Sequence, residues 1–499
     1  MNLSKSKFCL GIQCHKILWL DRNMPEQSAD ETTNDDRMET GNQVGALAME
    51  YFGEYKEVPF TTIPEMLTKT GQLLEEGANV IAEASFSHDG NFCSVDLLRK
   101  IPRGYEIVEV KSSTASQGDT SDTVKPIYIH DMAYQFHVLT QCGINVTKAT
   151  IMQINRDYIR QGELNIKHLF ALIDCTNAIL AMQEDMPRRI QEIKNAAMQK
   201  NEPEIDISGH CNNPYECAYK SWCFRHLPKN NVFNIGWSMW GSKKEEAYKS
   251  GFLSFEDVIA GGVRLSEKQN RQIMTELYNL PPQIDKTALC EFLSGIRYPL
   301  YHLDFETFQQ AVPLWDDVSP YVQIPFQYSI HIQDKPCGEA THKEFLAKEG
   351  QDPRRTLAEQ LCADIPIGVC VIVYSMGFEK GRIKELANLF PDLADRLLSI
   401  NDNMVDLAAP FRSGAYYCRK MGGSYSIKSV LPALFPNAPE LDYKALEIQN
   451  GITAMTVYAT LHEQSADEIA KTRQALLDYC RLDTYAMVKV LGKLYEVSS

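Results

Sequence analysis

Residues 301–308 read YHLDFETF. Asp304 and Glu306 stand two apart in an otherwise apolar and aromatic run. In a β-strand that spacing turns both carboxylates to one face, and Leu303 and Phe305 to the other. Two carboxylates held so close raise each other's pKa unless a cation lies between them. The expected cation is divalent: hard oxygen donors suit Mg2+ or Mn2+, and a metal pair can clamp the attacking and leaving oxygens of a phosphodiester displacement. An exposed strand edge carrying charges is the competing reading of so short a pattern. Near the C-terminus, residues 475–488 read ALLDYCRLDTYAMV. Tyr479 and Asp483 are four apart and share one face of a helix. The phenol can position a water, and the carboxylate can ligate metal.

D-x-E on a first strand and Y-x-x-x-D on a last helix resemble the DnaQ-like 3′→5′ exonucleases of the RNase H fold, in their tyrosine subtype. The resemblance covers residues 296–499 and implies a third acidic ligand between the two motifs. Residues 369–379, VCVIVYSMGFE, resemble the middle motif: a buried strand, a loop, then an aromatic–acid pair opening a helix. They assign the role to Glu379, where the family usually has Asp. Asp406, in MVDLAAPF, resembles the aspartate that follows, either backing the metal ligands or orienting substrate, with a helix N-cap as the alternative. SYSIKSVLPAL (424–434) resembles the segment before the last motif and implies a substrate contact for Lys428.

A second constellation lies in residues 78–114. Asn79–Phe86 is expected as a strand, HDGN at 88–91 as its hairpin turn, and Phe92–Arg99 as the return strand carrying Asp96. Tyr105–Ser113, YEIVEVKSS, forms a third strand on which Glu109 and Lys111 share a face. Asp96 and Glu109 would bind metal, while Lys111 would orient water or stabilise charge developing on phosphate. A solvated strand face also carries E-x-K often. The order of hairpin aspartate, E-x-K strand and helix resembles the PD-(D/E)xK nucleases in their RecB-like branch. There the next helix bears Q-x-x-x-Y and positions substrate. DMAYQFHVLTQ (131–141) supplies Gln135 but has Leu139 at the tyrosine position, and Gly45 stands where the branch commonly has a histidine ligand.

GHCNNPYECAYKSWCF (209–224) holds Cys211, Cys217 and Cys223 at six-residue intervals. That density exceeds what packing requires. Zinc would fit with His210 or His226 as a fourth ligand. RecB-like nucleases related to the CRISPR-adaptation enzymes and to AddB carry one cysteine near the N-terminus and three after the nuclease core. By that resemblance Cys14, Cys211, Cys217 and Cys223 would hold a 4Fe–4S cluster, with thiolate-only ligation, tying the first helix to the last segment of the domain. The remaining cysteines, such as Cys142, Cys290 and Cys370, read as buried thiols.

The chain has 499 residues, enough for two or three domains. No apolar run approaches the roughly 18 residues of a membrane span, and the N-terminus is not read as a signal peptide. A cytoplasmic location is expected, so the 14 cysteines are not expected to pair as disulfides. A net charge of −15 argues against a general nucleic-acid coat, so nucleic-acid contact must come from local basic patches.

The expected fold class is mixed α/β (α+β). Residues 1–228 would be a PD-(D/E)xK restriction-endonuclease-like domain, 229–295 a helical linker and 296–499 an RNase H-like DnaQ exonuclease domain. Between GNQVGALAMEYF (41–52), whose Gly41 and Gly45 would allow close backbone approach, and the polar stretch 26–39, a helix and a loop or arm are expected. Lys243, Lys244, Lys249, Arg264, Lys268 and Arg271 make the linker a candidate DNA-contact module. The whole layout resembles an uncharacterised bacterial family with these two halves fused. That resemblance implies a metal-dependent nuclease for DNA, acting on single-stranded ends. The alternatives are an RNA-processing exonuclease, or a catalytically impaired, Fe–S-stapled nucleic-acid-binding or assembly module.

Overall fold

In the computed structural model, which describes residues 1–29, 35–237 and 241–499, apolar burial divides the chain differently from its linear motifs. One unit is Met1–His226 with Gln310–Val322, and the other is Leu227–Gln309 with Gln323–Ser499. Residues 229–295 are therefore no separate linker. Leu289 and Leu293 join the second unit's core beside Leu407 and Phe411. Conversely Ala311, Val312 and Tyr321 pack with Val80, Leu97 and Val108 of the first unit.

The first unit is built on a seven-stranded sheet of order β2-β3-β4-β5-β6-β7, with β1 on β4. The strands are β1 (Leu3–Ser4), β2 (Lys56–Glu57), β3 (Val80–His88), β4 (Asn91–Ile101), β5 (Gly104–Ala115), β6 (Val146–Asn155) and β7 (Phe170–Asp174). β3 and β4 are joined by the two-residue turn Asp89-Gly90, with φ +48° and +71°. Positive φ at both positions matches the right-handed twist of the flanking strands. β5 reaches its parallel neighbour β6 through a helical crossover. The helices of this unit that bear on function are α1 (Lys5–Gln13), α2 (His15–Asn23), α3 (Asp35–Met49), α4 (Ile63–Glu75) and α5 (Pro126–Gln141).

Local structure departs from expectation at four places. Leu10–Leu20, LGIQCHKILWL, reads by its pattern as one amphipathic helix presenting Cys14, but it breaks at Cys14, which is extended at φ −160° and ψ 120°. Gly41 and Gly45 on α3 meet no close backbone among the described residues: a Cβ at either would meet nothing within 4 Å. Residues 166–201 read as helical material, but they are interrupted by β7, whose Phe170, Ala171 and Ile173 are buried. Of the polar stretch 26–39, residues 30–34 lie outside the described residues, and helix begins at Asp35.

The second unit has a five-stranded sheet of order β11-β10-β9-β12-β13 and a two-stranded one. Its strands are β8 (Gln283–Ile284), β9 (Leu300–Phe308), β10 (Ile324–Gln333), β11 (Ala340–Leu346), β12 (Cys370–Val373), β13 (Met404–Asp406) and β14 (Tyr416–Tyr417). β9 is antiparallel to β10 along its length but pairs with parallel β12 only over Leu300–His302. Asp304 and Glu306 lie just past that pairing, at the carboxyl end of the parallel strands, where open α/β sheets leave a crevice. The helix Ala466–Ser498, started by a Ser465/Glu468 capping box, buries Leu476, Tyr479, Cys480 and Asp483. Among the described residues no helix is long and apolar enough to cross a membrane.

Phe8 on α1 is fully buried and stacks on Tyr134 of α5 at 4.6 Å between ring centroids. Tyr134 in turn donates its hydroxyl to the Leu3 carbonyl at 2.5 Å. Phe8→Ala is expected to lower stability by about 3–5 kcal/mol, the range for emptying a buried aromatic site, as measured by urea denaturation.

Candidate active sites and cysteine centre

The alternation of β9 puts Leu303 and Phe305 into one core and aims Asp304 and Glu306 at the C-terminal helix. Ligand atoms of Asp304, Glu306 and Cys480 all lie within 4.8 Å of one another. Among the described residues this is the one group of three such donors. Asp483, one helical turn beyond Tyr479, is outside that 4.8 Å group yet close enough to push the Asp304 and Glu306 pKa values up. It accepts a hydrogen bond from Tyr443 Oη at 2.6 Å. Glu379 opens the helix Gly377–Leu389 and is 4% exposed. Its Oε2 is buried without a hydrogen-bond partner.

The electrostatics follow from this crowding. Burial, then the charges of Asp483, Glu306 and Glu379, hold the Asp304 carboxyl well above the usual range. Burial and Asp483 push Glu306 up to about 8, against the pull of Lys428. Burial carries Glu379 to about 7. It also carries Asp483 to about 6, although Tyr443, Lys428 and Tyr479 all favour its charged form. Lys428 lies 5.7 Å from the Tyr443 ring centroid and 5.8 Å from that of Tyr479. Tyr443 was invisible to motif reading, because only packing brings the 443–445 turn to the last helix. Gly451 was likewise missed: a Cβ there would sit 3.4 Å from Glu306 Oε2.

Asp406 does not join this group. Its Oδ1 accepts the backbone N–H groups of Ser375 at 2.9 Å and Ala408 at 3.0 Å, and its Oδ2 pairs with Arg412 at 2.9 Å. It is an anchor for the loop after β12 rather than a helix N-cap, since Ala408 holds the cap position.

In the first unit, the strand registers place Glu83, Asp96 and Glu109 in one row across β3, β4 and β5, flanked by the pairs Ala82↔Leu97, Ala84↔Val95 and Leu97↔Val108. Lys111 Nζ bonds Glu109 Oε1 at 2.8 Å and Asp131 Oδ2 at 2.9 Å. Lys5 Nζ, from the first turn of α1, lies 3.2 Å from Asp96 Oδ1 and 3.2 Å from Glu109 Oε1. The second Asp96 oxygen accepts the Val110 N–H at 2.7 Å. Burial pushes Glu109 upward, but the charges of Lys111 and Lys5 and the hydrogen bonds of Lys111 and Gln135 prevail and hold it at about 2. Burial and the Asp96 charge push Glu83 to about 7.

Gln135 is fully buried. Its amide nitrogen bonds Glu109 Oε2 at 2.7 Å and Asp131 Oδ1 at 3.0 Å. It thus orients the carboxylates. Its Oε1 is buried without a partner. Glu83, Asp131 and Lys5 escaped sequence reading. The one local signal was an acid at position 83 inside an apolar strand, where the structure has φ +57°, a conformation that non-glycine residues rarely adopt.

Cys14, Cys211, Cys217 and Cys223 line one cavity with Lys16 and Ile17. Its approach is fixed by Gln13, whose amide bonds the His210 and Tyr215 carbonyls, each at 2.8 Å. Burial raises all four thiols, Cys217 to about 11 with the other three adding to it. Cys290, expected buried, is exposed, and Cys142 is half-buried. Of the basic cluster, Lys244 bonds the Phe233 carbonyl at 2.9 Å, Lys268 the Arg412 carbonyl at 3.0 Å, and Lys249 pairs with Glu245 at 2.6 Å. Lys243 and Arg264 are exposed.

Residues 301–426 match a family described as a domain of unknown function, DUF2779. A stretch of 207 residues is 27% identical to the "Uncharacterized protein MG366 homolog" of Mycoplasma pneumoniae, covering 38% of this chain and 31% of that protein. Another of 226 residues is 27% identical to "Uncharacterized protein UU173" of Ureaplasma parvum, covering 41% and 32%. The chain thus spans about a third of the length of the curated relatives it matches. These similarities are to an uncharacterised bacterial family.

A carboxyl whose folded pKa is raised takes up protons on folding, so its contribution to stability falls as pH rises from its unfolded to its folded pKa. For Glu306 that window runs from about 4.5 to about 8. In chelator, the thermal midpoint of the wild type is expected to fall relative to that of Glu306→Gln across this window. Saturating Mn2+ is expected to reverse the difference at pH 8, as read by calorimetry.

Proposed function

We propose that this protein is a metal-dependent nuclease that hydrolyses DNA phosphodiester bonds at single-stranded ends. The observation that carries the proposal is the convergence of Glu306, Glu379 and Asp483, each buried, on the half-buried Asp304 carboxyl, from a strand and two helices. Buried like charges are costly unless a cation joins them. The residues fit such a cation. The donors are carboxylate oxygens, which suit Mg2+ or Mn2+, and Glu379 Oε2 is a buried acceptor with no partner. When bound, divalent ions would polarise the scissile phosphate and lower the pKa of the attacking water. Tyr479, beside Asp483 on the same helix, would align that water through its hydroxyl, and Lys428 would face the substrate phosphate. Asp406 would act only by holding the loop that carries Glu379.

In the first unit, Asp96 and Glu109 would hold a metal, with Gln135 Oε1 as a further oxygen donor and Lys111 placed to meet charge on the phosphate. This is the PD-(D/E)xK reading of that half. For the cysteine centre the reading is a 4Fe–4S cluster, because four thiolates are the donor set such clusters take, with zinc as the alternative. A second reading, an impaired first half serving only to bind or assemble, is favoured by Lys5, whose ammonium already pairs with both Asp96 and Glu109.

On end-labelled single-stranded DNA with Mn2+, Asp304→Asn and Asp483→Asn are each expected to reduce cleavage by about 10³-fold or more, the scale of losing a metal-held charge in the transition state. Tyr479→Phe is expected to lose about 10²-fold, as for a water-positioning group. Cleavage that survives Asp304→Asn and Lys111→Ala alike would overturn the assignment, and faster turnover of the matching RNA would move the substrate class. Anaerobically purified protein should absorb near about 400 nm, as thiolate-ligated iron clusters do, and Cys217→Ser should remove that band together with the iron.

A further inference from the structure

We propose that Lys5 is a built-in counter-ion of the first unit's carboxylate site: its ammonium holds the position between Asp96 and Glu109 that a divalent cation would take, and it sets how tightly that cation binds. The inference rests on the metal-site reading of Asp96 and Glu109.

Three observations carry it. First, Lys5 Nζ touches both acids, at 3.2 Å from Asp96 Oδ1 and at 3.2 and 3.3 Å from the two Glu109 oxygens. Lys111 bonds Glu109 and Asp131, so among the described residues it is Lys5 that bridges the pair. Second, the ammonium is delivered by a fixed arm. β1 pairs with β4 at Asn91 and Phe92, Ser4 caps α1, Phe8 is locked under Tyr134, and Gln13 clamps the far end of α1. Displacement must therefore come from the lysine side chain and not from the helix. That side chain is 25% exposed while Glu109 is 2% exposed, so the stem has a route to solvent and the carboxylate does not. Third, among the described residues of the second unit no lysine is recorded bridging the acids. There Lys428 lies over the Tyr443 and Tyr479 rings, and Asp304 and Glu306 lie with Cys480 within 4.8 Å of one another.

A divalent ion bound to the pair would sit about 2.1 Å from the same oxygens. Two cations cannot share that space, since like charges so close in a poorly solvated site repel strongly. Entry of the metal and withdrawal of Lys5 are thus one exchange. Lysine suits it, being a compact charge on a flexible stem.

The test is Mn2+ binding by calorimetry and by electron paramagnetic resonance. It uses the full chain carrying Asp304→Asn and Asp483→Asn to silence the second unit's site. Against that parent, Lys5→Met is expected to bind Mn2+ about tenfold more tightly, because no buried ion pair has to be broken first. Its thermal midpoint should be lower in chelator and should rise more on adding Mn2+. Lys5→Arg should restore the parent's affinity. Lys5→Gln keeps a donor without the charge and gives the same comparison if Lys5→Met fails to fold. Unchanged or weaker Mn2+ binding in the uncharged variants, with Glu109→Gln abolishing it, would overturn the role of Lys5 and leave the metal site standing. Binding that survives Glu109→Gln would overturn both.

Discussion

A carboxylate removed from water is stable only if it is protonated, hydrogen-bonded or faced by a cation, and each unit of this chain meets that constraint in its own way. In the second unit four acids crowd together, with Lys428 acting on Glu306 and Asp483, and their pKa values climb. In the first unit two lysines are threaded among three acids, and Glu109 is held ionised at about 2. The first arrangement stores repulsion that an added cation relieves. The second is already partly compensated from within. Since buried pairs resist separation, the same ligand types present opposite starting points for metal entry.

The short helix α1 concentrates much of the first unit's organisation. Over nine residues it carries Lys5 to the carboxylates, Phe8 to the core and Gln13 to the cysteine loop, and it ends at Cys14. Break of the helix at Cys14 is what lets one thiol turn toward Cys211, Cys217 and Cys223 while α2 buries Ile17, Trp19 and Leu20 beside them. A single regular helix would have placed Cys14 by its 3.6-residue repeat and not by the needs of the cavity.

Much of the scaffold was legible because short-range rules act on it directly. The Asp89-Gly90 turn, the alternation of β9 and β5, and the i, i+4 pairing of Tyr479 with Asp483 each follow from local periodicity. The motif acids Asp304, Glu306, Asp96 and Glu109 were found that way. Glu83, Asp131, Lys5 and Tyr443 were not, because no spacing rule links them to their partners. Lys5 and Asp96 are 91 residues apart, and Tyr443 and Asp483 are 40 apart. The partners of Gln135 were hidden for the same reason, since a motif names a residue but not what its amide finally bonds. Residues 229–295 and 310–322 were misassigned because linear order says nothing of which core an apolar side chain will reach.

The sequence by itself determined the local grammar: which runs are strands or helices, which acids share a face, and which cysteines are too dense to be packing. Period and turn chemistry are properties of a few consecutive residues, so they survive without a fold. Only the tertiary structure decided which charges meet. It left Glu379 Oε2 without a partner, tied Asp406 into a loop and set Lys5 between two acids. Electrostatic energies depend on distance and burial rather than on order along the chain, and those are settled only when distant segments pack.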